Sequence, residues 1–114
     1  MVNVTELMVL ECCPLGASAM DSAQAEQLAP MFKALGDPVR LRMVSMIAAV
    51  PELCVCEITP AFDLSPATVS HHLKTLREAG LVGSERRGTF VYYWLRPAAI
   101  EALSSLLAPA GQAE

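Results

Sequence analysis

Four cysteines are the residues of this 114-residue chain best suited to chemistry, and they fall as two tight pairs, Cys12-Cys13 and Cys54-Val55-Cys56. In a cytosolic chain, as expected here, such clustering points to soft-ion coordination rather than to structural disulfides. Three thiolates, Cys12, Cys13 and one of the second pair, make the trigonal sulfur site suited to trivalent arsenic or antimony. All four make a tetrahedral site suited to cadmium, lead or zinc. On a regular helix, residues i and i+2 point about 200° apart, so Cys54 and Cys56 share one ion only where the helix start is irregular. Otherwise one of them packs as a small hydrophobe.

The elements that would position these thiols are organised around Leu64 to Gly80. Val69, Leu73 and Leu76 recur at i, i+4 and i+7, one helical stripe. Ser65 is placed as N-cap, Pro66 at the first helical position and Gly80 as the residue able to turn left-handed after the end. The outer face begins small (Ala67, Thr68, Ser70) and continues with His71, Lys74 and Arg77. Small residues that approach base edges, followed by long cations that reach phosphates, are the pattern of a recognition helix; an ordinary solvated helix is the alternative. Two β-prone segments follow, joined by a turn containing Gly88 with Arg86 and Arg87 at its tip, so this hairpin carries charge where a wing would touch the DNA backbone.

Residues 1–22 lack a sustained period and read as a flexible arm whose cysteines can fold inward. A helix is expected from about Ala23 to Leu35, with Leu28, Met31, Phe32 and Leu35 inside. Asp37 then caps a second helix that starts at Pro38 and is apolar over most of its circumference, and Leu53 to Phe62 opens a short third helix. A three-residue turn, Asp63 to Ser65, joins the third helix to the recognition helix, which is helix-turn-helix geometry. After the hairpin, Pro97 opens a last helix with Ile100, Leu103, Leu106 and Leu107 as its stripe. The domain spans 23–108, and 109–114 read as a disordered tail. The first and last helices have little left to cover in so small a chain, so their stripes are candidates for a two-fold dimer interface.

Composition sets the outer limits. The chain is 54% hydrophobic but only 5% aromatic, and no apolar run reaches the length of a membrane span. A signal peptide is not expected, because no Lys or Arg precedes Leu7 to Leu10, and a cytoplasmic protein is. The net charge of −4 hides an asymmetry: residues 65–96 hold five cations (Lys74, Arg77, Arg86, Arg87, Arg96) against two acids (Glu78, Glu85). A local basic face on an acidic body remains compatible with double-stranded DNA.

Three segments in order, Phe32 to Arg42 (FKALGDPVRLR), Glu52 to Glu57 (ELCVCE) and Thr68 to Val82 (TVSHHLKTLREAGLV), resemble the ArsR/SmtB family of winged-helix metalloregulatory repressors. The resemblance covers roughly residues 23–100. It implies a mainly α fold with a small β-hairpin, a winged helix-turn-helix and a homodimer on palindromic operator DNA that dissociates when a metal or metalloid binds. The last helix lacks the spaced His, Asp and Glu ligands of zinc-sensing relatives. Thr59 stands where some arsenic-sensing relatives have a third cysteine, which makes Cys12 and Cys13 the natural suppliers of missing sulfur. As(III) or Sb(III) is the expected inducer, with Cd, Pb or Zn as alternatives.

The adjacent His71 and His72 face different ways on a helix, which argues against their sharing a metal. A thiol redox sensor on the same scaffold would use the same cysteines. An enzyme is not expected, because neither Cys-x-x-Cys nor a nucleophile elbow is present.

Overall fold

The computed structural model describes residues 19–108; the expectations for the arm cysteines Cys12 and Cys13 and for the 109–114 tail lie outside that range. The order is α1 (Ser22–Leu35), α2 (Pro38–Ala48), β1 (Leu53–Cys54), α3 (Val55–Ile58), a 3-10 turn (Thr59–Ala61), α4 (Pro66–Glu78), β2 (Val82–Arg87), β3 (Phe90–Leu95) and α5 (Pro97–Leu107). Each strongly signalled helix start is capped. Asp21 and Gln24 form a reciprocal box that starts α1 at Ser22, one residue earlier than expected. One oxygen of Asp37 accepts from the Val39 and Arg40 amides (3.0 and 3.1 Å), and Ser65 Oγ accepts from the Thr68 amide (3.1 Å).

Val69, Leu73 and Leu76 of α4 are fully buried against Met43 and Ile47 of α2, Ile58 of α3 and Leu81. Each such side chain contributes roughly 1.5–3 kcal/mol by leaving water. Gly80 ends α4 with φ +87°, where a Cβ would be strained, and the chain turns directly into β2.

Four expectations change. Leu53 and Cys54 do not begin the third helix: they form a short edge strand, so the hairpin is part of a three-stranded antiparallel sheet of order β1-β3-β2. Open backbone groups on β3 offered Leu53 and Cys54 partners that local periodicity does not reveal. Ala34 takes the inner place on α1 expected for Phe32, which is half exposed. Leu41 is 54% exposed, so α2 buries one face and not most of its circumference. Leu103 is buried in its own chain's core, leaving Leu106 and Leu107 as the exposed part of the α5 stripe.

The wing is tightly built at its base. Gly83 pairs with Trp94, and a Cβ at Gly83 would lie 2.6 Å from the indole Nε1, so only glycine lets the ring lie across the strand. Among the described residues no helix is long and apolar enough to cross a membrane.

Candidate nucleic-acid interface and thiol pair

Ser65, Ala67, Thr68, Ser70, His71, Lys74 and Arg77 are all exposed on α4 or its cap. Ser65 and Thr68 are joined at 2.9 Å through their hydroxyls, which orders the start of the helix while leaving it accessible. Arg77 reaches toward Ser84 of β2 at 3.5 Å, so the last cation of the helix leans to the wing. The face that the sequence singles out is therefore continuous from the α4 start to the hairpin.

The two hairpin arginines are not equivalent. Arg86 is exposed. Arg87 makes a two-pronged contact with Glu52, Nη1–Oε2 2.6 Å and Nη2–Oε1 2.9 Å, and donates to Glu85 from Nε (3.0 Å) and Nη2 (2.9 Å). Its guanidinium lies 4.7 Å from the Tyr92 ring centroid. These carboxylates hold the Arg87 proton more tightly than in a free arginine, and hydrogen bonding from Arg87 pulls the Glu52 carboxyl below its ordinary value.

Sequence reasoning also missed a contact behind the recognition helix. Arg40 donates from Nε to the Ala34 carbonyl (2.8 Å) and from Nη1 to Nδ1 of His72 (3.2 Å). His72 thus faces α2 while His71 faces solvent. The only available sequence signal was the opposite facing of adjacent helical residues.

The structure resolves the spacing problem of Cys54 and Cys56. Cys54 is the last strand residue, with extended backbone (φ −74°, ψ 142°), and Cys56 lies in the first turn of α3. The two therefore do not occupy one regular helix, and, contrary to the expectation of free thiols, their sulfurs are in direct contact as a disulfide, with the Cα atoms 5.1 Å apart, because the strand-to-helix corner brings i and i+2 side chains together. Cys54 is buried and Cys56 exposed. The Cys56 amide donates to Cys54 Sγ (3.1 Å), while the Cys54 amide donates to Glu57 (3.1 Å). In reduced form this is a compact pair of soft donors opening to solvent on one side. The donor chemistry fits a thiophilic ion, and the pair offers one of three sulfurs to a trigonal site or two of four to a tetrahedral one.

A helix-turn-helix followed by a wing, with one face of α4 exposed, is the winged helix-turn-helix class of fold. Residues 37–84 match the family described as bacterial regulatory protein, arsR family. The chain is 51% identical over 67 residues to an arsenic resistance transcriptional regulator of Pseudomonas putida, an alignment covering 59% of this chain and 52% of that one. It is 45% identical over 65 residues to a cadmium resistance transcriptional regulatory protein of Listeria innocua, covering 57% and 55%. A crystal structure of a possible transcriptional regulator for arsenical resistance superimposes with TM-score 0.61 at 34% identity, over 70% of this chain and 78% of that one. The protein belongs to the arsR family of bacterial regulators. The chain spans about half the length of the two curated relatives just described.

Proposed function

We propose that this protein is a cytoplasmic, soft-ion-responsive transcriptional repressor that binds double-stranded operator DNA as a homodimer and is released when trivalent arsenic or antimony binds its thiolates. The observation that carries this reading is the adjacency of the Cys54 and Cys56 sulfurs at the junction between the wing sheet and the helix-turn-helix. The pair supplies two sulfurs, and the chain's other two cysteines are Cys12 and Cys13. A trigonal site then uses Cys12, Cys13 and Cys54, with Cys56 as substitute; a tetrahedral site uses all four and suits Cd, Pb or Zn. Arsenic- and cadmium-resistance regulators both stand among the relatives.

DNA contact is assigned to Ser65, Ala67, Thr68, Ser70 and His71 for the bases, and to Lys74, Arg77 and Arg86 for phosphates; Arg87, expected beside Arg86 at the wing tip, is engaged by Glu52 and Glu85 and is set apart from them. The dimer interface is assigned to the groove between α1 and α5, lined by Met20, Leu28, Met31, Ala102 and Leu106, together with the exposed Leu107 that follows it at the end of α5. An ion held by the arm and Cys54 ties residues 12–13 to the strand that enters α3. It thereby favours a conformation with poorer half-site geometry, so DNA and ion oppose each other reciprocally.

The test is operator binding by the reduced protein in the presence of arsenite, antimonite, cadmium, lead or zinc. Cys12→Ser, Cys13→Ser and Cys54→Ser should each bind operator yet resist arsenite. Normal release of a Cys12→Ser/Cys13→Ser double variant would refute the site, and release by cadmium but not arsenite selects the four-thiolate form. The direct contact of the Cys54 and Cys56 sulfurs also favours a second reading, a redox sensor in which a peroxide takes two electrons from the two thiols and leaves the disulfide. Reversible loss of operator binding under peroxide in metal-free buffer distinguishes it.

A further inference from the structure

The sheet register places Cys54 opposite Tyr92 on β3, and Tyr92 opposite Glu85 on β2. The buried cysteine thus sits in one cross-strand row with the wing. Arg87, two residues beyond Glu85 on the same face of β2, reaches across the sheet over the Tyr92 ring to take Glu52, two residues before Cys54. Its side chain therefore connects β2, whose end carries the wing tip, to the residue immediately before β1, the strand that carries the thiol.

Building on the proposed soft-ion response, we propose that the Glu52–Arg87 contact is the strut that transmits occupancy of the cysteine pair to the wing, making Arg87 a positioning residue and not a phosphate ligand. Three features support this. Arg87 already faces two carboxylates, so a phosphate approaching it meets a locally negative cluster instead of a free cation. The contact is forked, and two parallel hydrogen bonds hold an angle as well as a distance, as a single lysine contact does not. The side chains are 44% and 40% exposed, and pairs this exposed contribute little to stability. Its geometry serves the relation between strands and not the holding of the fold.

Motion of β1 moves Glu52 with Cys54, since only Leu53 separates them. Through the fork, that displacement reaches β2 directly, in parallel with the β1–β3 hydrogen bonds. Removing either end should leave ion binding and DNA binding in place and weaken the link between them.

The experiment uses the full reduced chain, cadmium(II) as probe ion and a fluorescent operator duplex. Cadmium uptake is followed by thiolate-to-metal absorption, and DNA affinity is measured with and without cadmium. Glu52→Gln and Arg87→Gln should bind cadmium and ion-free DNA like the wild type. In each, the factor by which cadmium weakens DNA binding, typically about 5- to 150-fold in such coupled systems, should shrink by about tenfold or to no effect. The double variant should lose no more than either single one, because both remove the same contact. Arg87→Lys, which keeps the charge but not the fork, should behave like Arg87→Gln, and the exchange Glu52→Arg/Arg87→Glu should recover part of the coupling even if a single variant folds poorly. Full cadmium-induced release in the single variants overturns the strut. So does weaker ion-free binding by Arg87→Gln, with a salt slope reduced by about 0.9 and unchanged coupling, which makes Arg87 a phosphate contact. A wild-type protein whose thiolates take up neither cadmium nor arsenite overturns the soft-ion reading itself, and with it the strut, at a step the variants do not touch.

Discussion

Arg40 on α2 and His72 on α4 are joined by a 3.2 Å hydrogen bond that fixes how the recognition helix sits on the helix behind it. A guanidinium only donates, so His72 must accept at Nδ1, and the neutral imidazole of this contact carries its proton on Nε2. Imidazole nitrogen chemical shifts should show that tautomer for His72 in the wild type and a mixture in Arg40→Gln. The variant should also lose on the order of 1 kcal/mol of stability in denaturant titration, because the contact lies between packed elements. An unchanged tautomer in Arg40→Gln would show that another group orients the ring.

Asp37 links that locus to pH. The Arg40 amide, foremost, then the charge of Arg40 and the Val39 amide, hold the Asp37 carboxyl below its ordinary value of 3.8. A carboxyl lowered on folding contributes stability that is fully present above its unfolded value and lost as pH falls through the folded one. The denaturation midpoint of the wild type should thus fall more steeply than that of Asp37→Asn as the pH drops below about 4. Parallel curves would remove Asp37 from the acid response.

The exposed face of α4 and the wing should separate into two kinds of DNA contact. Arg86→Ala is expected to weaken binding to every sequence and lower the salt slope by about 0.9, the value of one phosphate contact. Thr68→Ala or His71→Ala should instead change which operator positions are discriminated, by about 1–3 kcal/mol per affected base pair. Competition with randomised half-sites at several salt concentrations measures both, and a sequence-selective effect of Arg86→Ala would contradict the division.

Leu103 and Leu107 lie on one apolar stripe but have different fates. Leu107, 67% exposed, should on conversion to Asp give a folded monomer with lost operator affinity, measured by light scattering and DNA titration. Leu103→Asp buries a charge in the core and should unfold the chain whatever its oligomeric state. A Leu107→Asp protein that remains dimeric would move the interface away from the α5 end.

What the sequence determined by itself was everything encoded over one or two helical turns. The stripe Val69, Leu73, Leu76, the caps Asp37 and Ser65, and Gly80 with φ +87° mark their elements because periodicity, side-chain capping and backbone sterics act between near neighbours. The outward face of α4 followed from the same periodicity. Tertiary structure decided the features that depend on register between distant strands or on the choice of one partner among several. Leu53 and Cys54 became a strand because β3 had backbone groups to pair. That pairing set Cys54 off the helix and against Cys56, and brought Glu52 within reach of Arg87, thirty-five residues away. Leu103 turned inward because the core had room for it, and His72 met Arg40 because α4 crosses α2 there. No local signal carries these choices, since each is the energy of two surfaces meeting and neither surface contains the other's address.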